Sequence, residues 1–221
     1  EMGHPGLIFT LEMAEREIGM RTISNSGQVD GRAMKTGFLQ ATEWVKITKA
    51  VQRLAGLPIH IDDDSTQTID AICSKARRWK RDPQVFQRDT KGGFIVLDFL
   101  QLVNSGITRK NTNREQEVTY VTRQLKALAK ELGIAVIALA SLNRALEARS
   151  DKRPIAADLR DSGNIESDAD SILMLYRDEV YNPETEDKGI MELLMRKARN
   201  SEVGEKKVKW VAQSTRFEDI E

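Results

Sequence analysis

The feature that most constrains the fold of this chain is the run Phe94-Ile95-Val96-Leu97-Asp98, an unbroken apolar segment that ends in a carboxylate. Apolar runs without polar alternation are typical of parallel strands that are covered on both faces. A second run, residues 134–139, follows a helical pattern over residues 114–132 that stops at Gly133. Strands and helices that alternate in this way predict a parallel sheet flanked by helices.

The alternation extends to both sides of these runs. Further strands are predicted at residues 7–11, 59–61 and 171–176. Further helices are predicted at residues 13–24, at 30–34 with Asp30 as the cap, at 42–56 with Thr42 as the cap, and at 68–81. The chain then switches to a strand pair, residues 190–195 and 206–211. The sequence therefore predicts one α/β domain over residues 1–221, a mostly parallel sheet with an antiparallel C-terminal extension at one edge.

Composition excludes several classes of protein. A single cysteine, Cys73, excludes a disulfide scaffold and fits a reducing compartment, so a cytoplasmic protein is expected. No apolar run approaches the ~18 residues that span a membrane. The 34 basic residues balance 34 acidic ones, which argues against a protein that coats nucleic acid with its whole surface. The neutral net charge does not exclude a local basic site.

Two predicted strands lead into an acidic residue, Glu12 after the first and Asp98 after the central one. Ligands of open α/β sheets bind outside the carboxyl ends of the strands. An apolar strand that ends in Asp is the Walker B pattern, in which the carboxylate holds the Mg²⁺ that bridges nucleotide phosphates. A neighbouring Glu could deprotonate the attacking water. The pattern alone leaves a solvent-facing strand end as the other interpretation.

Other polar residues favour plainer interpretations. His4 and His60 have no partner at metal-ligand spacing, so no zinc site is expected. The run Asp62-Asp63-Asp64 lacks the other ligands of a calcium loop and is better explained as a solvated strand end with helix-capping carboxylates. The basic side of the helix at 68–81 is more typical of a solvated surface than of a nucleic-acid site. Its residues are Lys75, Arg77, Arg78, Lys80 and Arg81.

No Gly-x-x-x-x-Gly-Lys-[Ser/Thr] sequence, the loop that cradles nucleotide phosphates, occurs in the 221 residues. Gly3 and Pro5-Gly6 resemble a helix end and the turn after it, directly before a strand. One expectation is therefore that the sequence starts inside a fold and that these residues alone bind ATP poorly. A short leader before the first strand is the alternative.

Six stretches, in order, resemble one family. They are residues 9–13, 95–102, 123–132, 142–144, 158–170 and 176–181. Together they are similar to the C-terminal RecA-like motor domain of DnaB-type replicative DNA helicases of bacteria, phages or plasmids, and the match runs from about Gly6 to Phe217. The resemblance implies a RecA-like fold and a hexameric ring that binds ATP and Mg²⁺ between subunits. It also implies single-stranded DNA in the central channel and 5′→3′ translocation, with a helicase loader and a primase as further partners.

The resemblance also implies roles for individual residues. Glu12 matches the catalytic base and Asp98 the Walker B acid that holds Mg²⁺. Lys197 and Arg199 match the pair that reaches the nucleotide of the neighbouring subunit, with Arg199 as the arginine finger. In the stretch 158–170, which matches the central-channel loop, the residues implied to contact the DNA backbone are Arg160, Asp161 and Gly163.

The chain departs from the family pattern in two places. First, the phosphate-binding loop of the family lies upstream of the segment that matches residues 9–13, together with a collar domain and a linker helix, and none of these is found in the 221 residues. Second, the usual Ser-Gln before Leu-Asn-Arg is here Ala140-Ser141, so Ser141 replaces the glutamine that senses the γ-phosphate. These departures favour an alternative, a degenerate RecA-like module that binds DNA or a helicase partner without hydrolysis. The presence of Glu12, Asp98, Lys197 and Arg199 argues against it. A recombinase-like or clock-type ATPase is a third possibility, which the stretch 158–170 disfavours.

Overall fold

The computed structural model of the chain describes residues 3–87, 90, 92–107, 113–160 and 164–220. The helices are α1 (Glu15–Gly27), α2 (Gly31–Thr36), α3 (Ala41–Ala55), α4 (Ile69–Lys80), α5 (Arg114–Leu132) and α6 (Ile165–Asp168). The strands are β1 (Gly6–Thr10), β2 (Ile59–Asp62), β3 (Phe94–Asp98), β4 (Ala135–Ala138), β5 (Ser171–Tyr176), β6 (Ile190–Ala198), β7 (Gly204–Val211) and β8 (Arg216–Asp219).

The chain forms two compact units, and each is built from several segments. The first unit contains Glu1–Glu15, Leu57–Leu146 and Ala157–Ala169. The second contains Arg16–Gly56, Glu147–Ala156 and Asp170–Glu221. Within the described ranges, no helix combines the length and the apolar character that crossing a membrane requires.

A parallel four-stranded sheet of order β2-β1-β3-β4 forms the centre of the first unit. Its two central strands supply side chains with no solvent exposure, Phe9 from β1 and both Ile95 and Leu97 from β3. Helices α4 and α5 bury apolar residues at helical spacing, as the sequence predicts. Because all four strands are parallel, their carboxyl ends lie at the same edge of the sheet.

Local capping explains where these two helices begin and end. The Thr68 hydroxyl accepts a hydrogen bond from the Ala71 N–H at 3.2 Å and starts α4. The Asn113 side chain accepts one from the Gln116 N–H at 2.9 Å and starts α5. Gly133 ends α5 at a φ of 62°, a left-handed conformation that glycine adopts without steric cost.

An antiparallel sheet of order β5-β6-β7-β8 belongs to the second unit. Strand β5 alternates buried Ile172, Met174 and Tyr176 with exposed neighbours, the pattern of a strand with one covered face. The α/β fold with a parallel sheet and a C-terminal antiparallel element is confirmed. Among the described strands, the antiparallel element is a sheet of its own, where the sequence predicts an extension of the parallel sheet.

Two helix starts in the second unit test the sequence-based caps. Asp30 caps α2 as predicted, and its carboxylate accepts hydrogen bonds from the N–H groups of Arg32 and Ala33. The prediction of Thr42 as a cap is wrong, because α3 begins one residue earlier and Gln40 caps it. The Gln40 N–H donates to the Glu43 carboxylate at 2.8 Å, so a capping box fixes this start.

Candidate functional site

The carboxyl edge of the parallel sheet brings together the two acidic residues that the sequence singles out. Thr10, the last residue of β1, is in register with Asp98, the last residue of β3. The Leu11 N–H donates a hydrogen bond of 2.7 Å to the Asp98 carbonyl, which ties the chain after β1 to the end of β3. Glu12 is the next residue along. The adjacent central strands thus lead into acidic residues at the same edge of the sheet.

The turn that carries Glu12 is fixed on both sides. The buried Thr10 hydroxyl donates to the Met13 carbonyl at 2.9 Å and accepts from the Met13 N–H at 3.2 Å. Beyond the turn, the Asp63 carboxylate accepts a hydrogen bond of 2.9 Å from the N–H of Glu15, the first residue of α1. Glu12 itself is exposed. A fixed backbone with an exposed carboxylate is the arrangement that a positioned base requires.

The carboxylates of the acidic run at the end of β2 form ion pairs and hydrogen bonds with neighbouring groups. The Lys75 ammonium lies 2.7 Å from an Asp62 oxygen and 3.7 Å from an Asp64 oxygen. Backbone and hydroxyl hydrogen bonds from Thr66 hold the pKa of the Asp64 carboxyl below its ordinary value. Over the residues that the structure describes, no group of three or more His, Cys, Asp or Glu side chains could hold a metal ion. The capping interpretation fits, since Asp63 caps α1.

The basic side of α4 is also largely engaged within the protein. The Arg77 guanidinium contacts the Glu131 carboxylate of α5 through two hydrogen bonds of 2.8 Å, and this contact lowers the pKa of Glu131. The Lys80 ammonium lies 3.8 Å from the centroid of the Phe86 ring. With Lys75 bound to Asp62, three of the five cations contact protein groups, which favours the surface interpretation.

Ser141 lies in the segment after β4, beside the segment that leads into the predicted DNA loop. The Arg160 N–H donates to the Ser141 carbonyl at 3.0 Å, and Leu142 forms an antiparallel bridge with Leu159. The Gln101 side chain contacts both segments. Arg160 is exposed at the start of the loop, whereas Asp161 and Gly163 lie outside the described residues. The sequence predicts Ser141 and Arg160 as site residues but neither their pairing nor Gln101.

Lys197 and Arg199 lie in the second unit, at the carboxyl end of β6. Lys197 is in register with Ile172 of β5, and Arg199 follows the last residue of β6. The Arg199 N–H donates to the Asp170 carbonyl at 2.9 Å, and its guanidinium lies 3.2 Å from an Asp170 carboxylate oxygen. The side chains of Arg199 and Asp170 are about half exposed, 47% and 57%. Asp170 is a partner of Arg199 that the sequence does not predict.

Arg153, in the segment before the predicted DNA loop, is hydrogen-bonded to Glu192, a buried carboxylate of β6. The Glu192 side chain is 6% exposed and accepts two hydrogen bonds, of 2.7 and 2.8 Å, from the Arg153 guanidinium. These bonds raise the pKa of Arg153 above its ordinary value. The same guanidinium lies 4.8 Å from the Tyr176 ring, and burial raises the pKa of that phenol to about 12.

Replacing Arg153 with alanine is expected to lower the free energy of unfolding by about 3 kcal/mol, because the Glu192 carboxylate would remain buried without its cation. Urea unfolding measures this change. The double substitution Arg153→Ala, Glu192→Gln is the control, and it should recover part of the loss because no unpaired charge stays buried. A free energy of unfolding for Arg153→Ala within about 0.5 kcal/mol of the wild-type value would contradict the assignment.

The parallel sheet flanked by helices, with an acidic residue at the end of a central strand, agrees with RecA-like α/β ATPase domains, and the similarity to a solved ATPase domain supports this class. A family model narrows the class: the DnaB-like helicase C terminal domain matches residues 1–219. The chain therefore belongs to the DnaB-like helicase C-terminal domain family.

Relatives and solved structures agree with this family. The replicative DNA helicase DnaB of Geobacillus stearothermophilus is 40% identical over 97% of this chain, and that of Pasteurella multocida is 42% identical over 98%. The chain spans about 45% of the length of each. A solved DnaB-like replicative helicase, described with its interactions with primase, has a TM-score of 0.91 at 33% identity, and the match covers 99% of this chain and 51% of that one. A separately solved ATPase domain also has a TM-score of 0.91 at 33% identity, and the match covers 99% of this chain and 75% of that one.

Proposed function

We propose that this chain is the motor domain of a replicative DNA helicase that couples ATP hydrolysis to 5′→3′ movement on single-stranded DNA and to duplex unwinding. The observation that carries the proposal is the placement of Glu12 and Asp98 at adjacent carboxyl ends of the two central strands, in a chain of the DnaB-like family. A module that only binds DNA has no need of this pair of carboxylates.

Asp98 is the residue that would hold Mg²⁺. Its carboxylate is a hard oxygen ligand at the end of β3 and is partly exposed, so an ion can reach it. Mg²⁺ in phosphoryl-transfer sites uses one or two carboxylates and completes its shell with waters and phosphate oxygens, so a larger protein ligand set is not required. When bound, the ion neutralises charge on the ATP phosphates.

Glu12 is the residue that would orient and deprotonate the attacking water. The Thr10 turn and the Asp63 contact fix its backbone, while its side chain stays exposed at the same edge as Asp98. A positioned base of this kind contributes typically about 10²–10⁴-fold to the rate.

Lys197 and Arg199 act, in this proposal, on the nucleotide of the next subunit of a homohexameric ring. Arg199 would stabilise the charge that develops on the transferred phosphoryl group. Its pairing with Asp170 does not oppose this role, because exposed ion pairs are typically worth only about 0–1 kcal/mol and exchange readily.

Arg160, together with Asp161 and Gly163, would contact the DNA backbone in the channel of the ring. Backbone contacts carry no sequence information, which suits a motor that moves along any sequence. A net charge of zero is compatible with this arrangement, since the strand is held by a few loop residues on the inside. A primase and a helicase loader are further proposed partners, the first supported by the DnaB-like structure that is described with primase.

The alternative is a degenerate module that binds DNA or a helicase partner without hydrolysis, and Ser141 is the residue that favours it. Steady-state ATP hydrolysis by the intact protein, with and without single-stranded DNA, distinguishes the two functions. The motor predicts turnover that rises when single-stranded DNA is added. The module predicts DNA binding with no turnover above background.

A further inference from the structure

We propose that Gln101 is a positioning residue that transmits the state of the ATP site to the DNA-binding segment. The inference rests on the proposed function, since it concerns how one motor domain couples its two sites. Gln101 follows Asp98 by three residues and its side chain contacts the segments that contain Ser141 and Arg160. One amide therefore connects the end of β3, the end of β4 and the start of the predicted DNA loop.

The backbone at Gln101 is fixed to the sheet. Gln101 is the middle residue of a short 3-10 turn, Leu100–Leu102, directly after β3. The Leu100 N–H donates to the Leu139 carbonyl at 2.8 Å, and Leu100 is 2% exposed. The Arg114 guanidinium donates to the Gln101 carbonyl. A displacement at the end of β3 would therefore move the Gln101 side chain with it.

The two ends of the amide serve different partners. The Gln101 Oε1 accepts a hydrogen bond of 3.1 Å from the Ser141 N–H. The Nε2 donates one of 3.2 Å to the Arg160 carbonyl and lies 3.5 Å from the Ser141 carbonyl. The side-chain amide offers an acceptor and a donor at once, whereas a carboxylate at the same position could keep the first contact but not the second.

The segments that the amide joins are already bonded to each other. Ser141 and Arg160 share a backbone hydrogen bond of 3.0 Å, and the Asn143 N–H donates to the Asp158 carbonyl at 2.7 Å. Gln101 is thus the side chain through which β3, with Asp98, is tied to this pair. Ser141 has too short a side chain to make such a link itself. We expect DNA stimulation of hydrolysis, rather than hydrolysis itself, to depend on Gln101.

The substitution Gln101→Glu in the intact protein tests this role. It keeps the acceptor for the Ser141 N–H and sets a carboxylate against the Arg160 carbonyl. We expect ATP hydrolysis without DNA to stay within about twofold of wild type, and stimulation by single-stranded DNA to fall about tenfold, within the usual range of coupling between sites. A merely structural residue would change both rates together or neither. Gln52→Glu, the same chemical change at an exposed position of α3, is the matched control.

The outcomes separate this inference from the proposed function. Wild-type stimulation that survives unchanged in Gln101→Glu would overturn the role of Gln101 and leave the motor intact. No stimulation in the wild-type protein would overturn the proposed function and the role of Gln101 with it. If Gln101→Glu does not fold, as judged by circular dichroism, Gln101→Met replaces it, because this side chain has similar length and neither contact. Normal stimulation in Gln101→Met would likewise overturn the inference.

Discussion

Replacing Arg199 with alanine is expected to reduce kcat for ATP hydrolysis by the intact protein by about 10³–10⁵-fold, the usual contribution of an arginine finger. In the proposed motor, the Arg199 guanidinium stabilises charge on the phosphoryl group of the neighbouring subunit's nucleotide, and alanine removes this guanidinium. Steady-state ATP hydrolysis with saturating single-stranded DNA measures the effect, and size-exclusion chromatography checks that the variant has the same oligomeric state as the wild-type protein.

Arg196→Ala is the matched control, because it removes the same charge three residues earlier, within β6. The Arg196 guanidinium binds the Pro154 carbonyl at 3.0 Å and Glu205 at 2.8 Å, both within the second unit. We expect its kcat to stay within about threefold of wild type, as for most surface substitutions. An Arg199→Ala protein that keeps more than about a tenth of wild-type turnover would refute the role of Arg199.

Replacing Glu12 with glutamine is expected to reduce kcat by about 10²–10⁴-fold while affinity for single-stranded DNA is kept. Glutamine has the size of glutamate but cannot accept the proton of the attacking water, and the Thr10 turn leaves the backbone unchanged. Hydrolysis assays give kcat and fluorescence anisotropy with a labelled oligonucleotide gives affinity.

Glu15→Gln provides the comparison for Glu12, since it makes the same change at an exposed position three residues further on. Its turnover should match wild type. Should Glu12→Gln hydrolyse ATP at the wild-type rate with DNA binding intact, the degenerate module would replace the motor as the better description of this chain.

Mixing the two inactive proteins tests whether Arg199 acts across subunits. In a one-to-one mixture, an interface is competent when Glu12 comes from the Arg199→Ala subunit and Arg199 from its Glu12→Gln neighbour. Random assembly makes about a quarter of the interfaces competent, so partial hydrolysis should return if each site works alone. Activity that stays at the level of either variant after subunit exchange would contradict independently working ATP sites in trans.

The two central strands of the parallel sheet could be predicted because β1 and β3 are short apolar runs, which are typical of strands that are covered on both faces. The sequence predicts strand β4 from the same kind of run, yet it lies at the edge of the sheet and its Ile137 is 53% exposed. The same reasoning failed for β8, whose residues Arg216, Phe217, Glu218 and Asp219 include three charges. That strand forms because it pairs with β7 and because its Phe217 ring packs against the Trp210 ring, with 4.9 Å between the ring centroids. Sequence periodicity does not show such a contact between strands.

The candidate site likewise contains residues whose positions could be predicted from the sequence and contacts that could not. The positions of Glu12 and Asp98 at the carboxyl edge of the parallel sheet could be predicted, because Asp98 ends β3 and Glu12 lies two residues after β1, so both positions are set locally. The contacts that fix the backbone and side chains around the site could not be predicted, because the two partners of each contact are distant in sequence. Asp63 and Glu15 are 48 residues apart, Gln101 and Arg160 are 59 apart, and Asp170 and Arg199 are 29 apart. Only the folded chain brings these pairs together.

Strand displacement by the intact protein tests the central claim most directly. The substrates are two labelled forks, one in which only the 5′ arm is single-stranded and one in which only the 3′ arm is single-stranded, the other arm of each being made double-stranded. The proposed motor predicts ATP-dependent separation of the fork with the single-stranded 5′ arm, no separation of the fork with the single-stranded 3′ arm, and no separation of either when Glu12→Gln replaces the wild-type protein. Tight binding to both substrates without any ATP-dependent strand separation would contradict it.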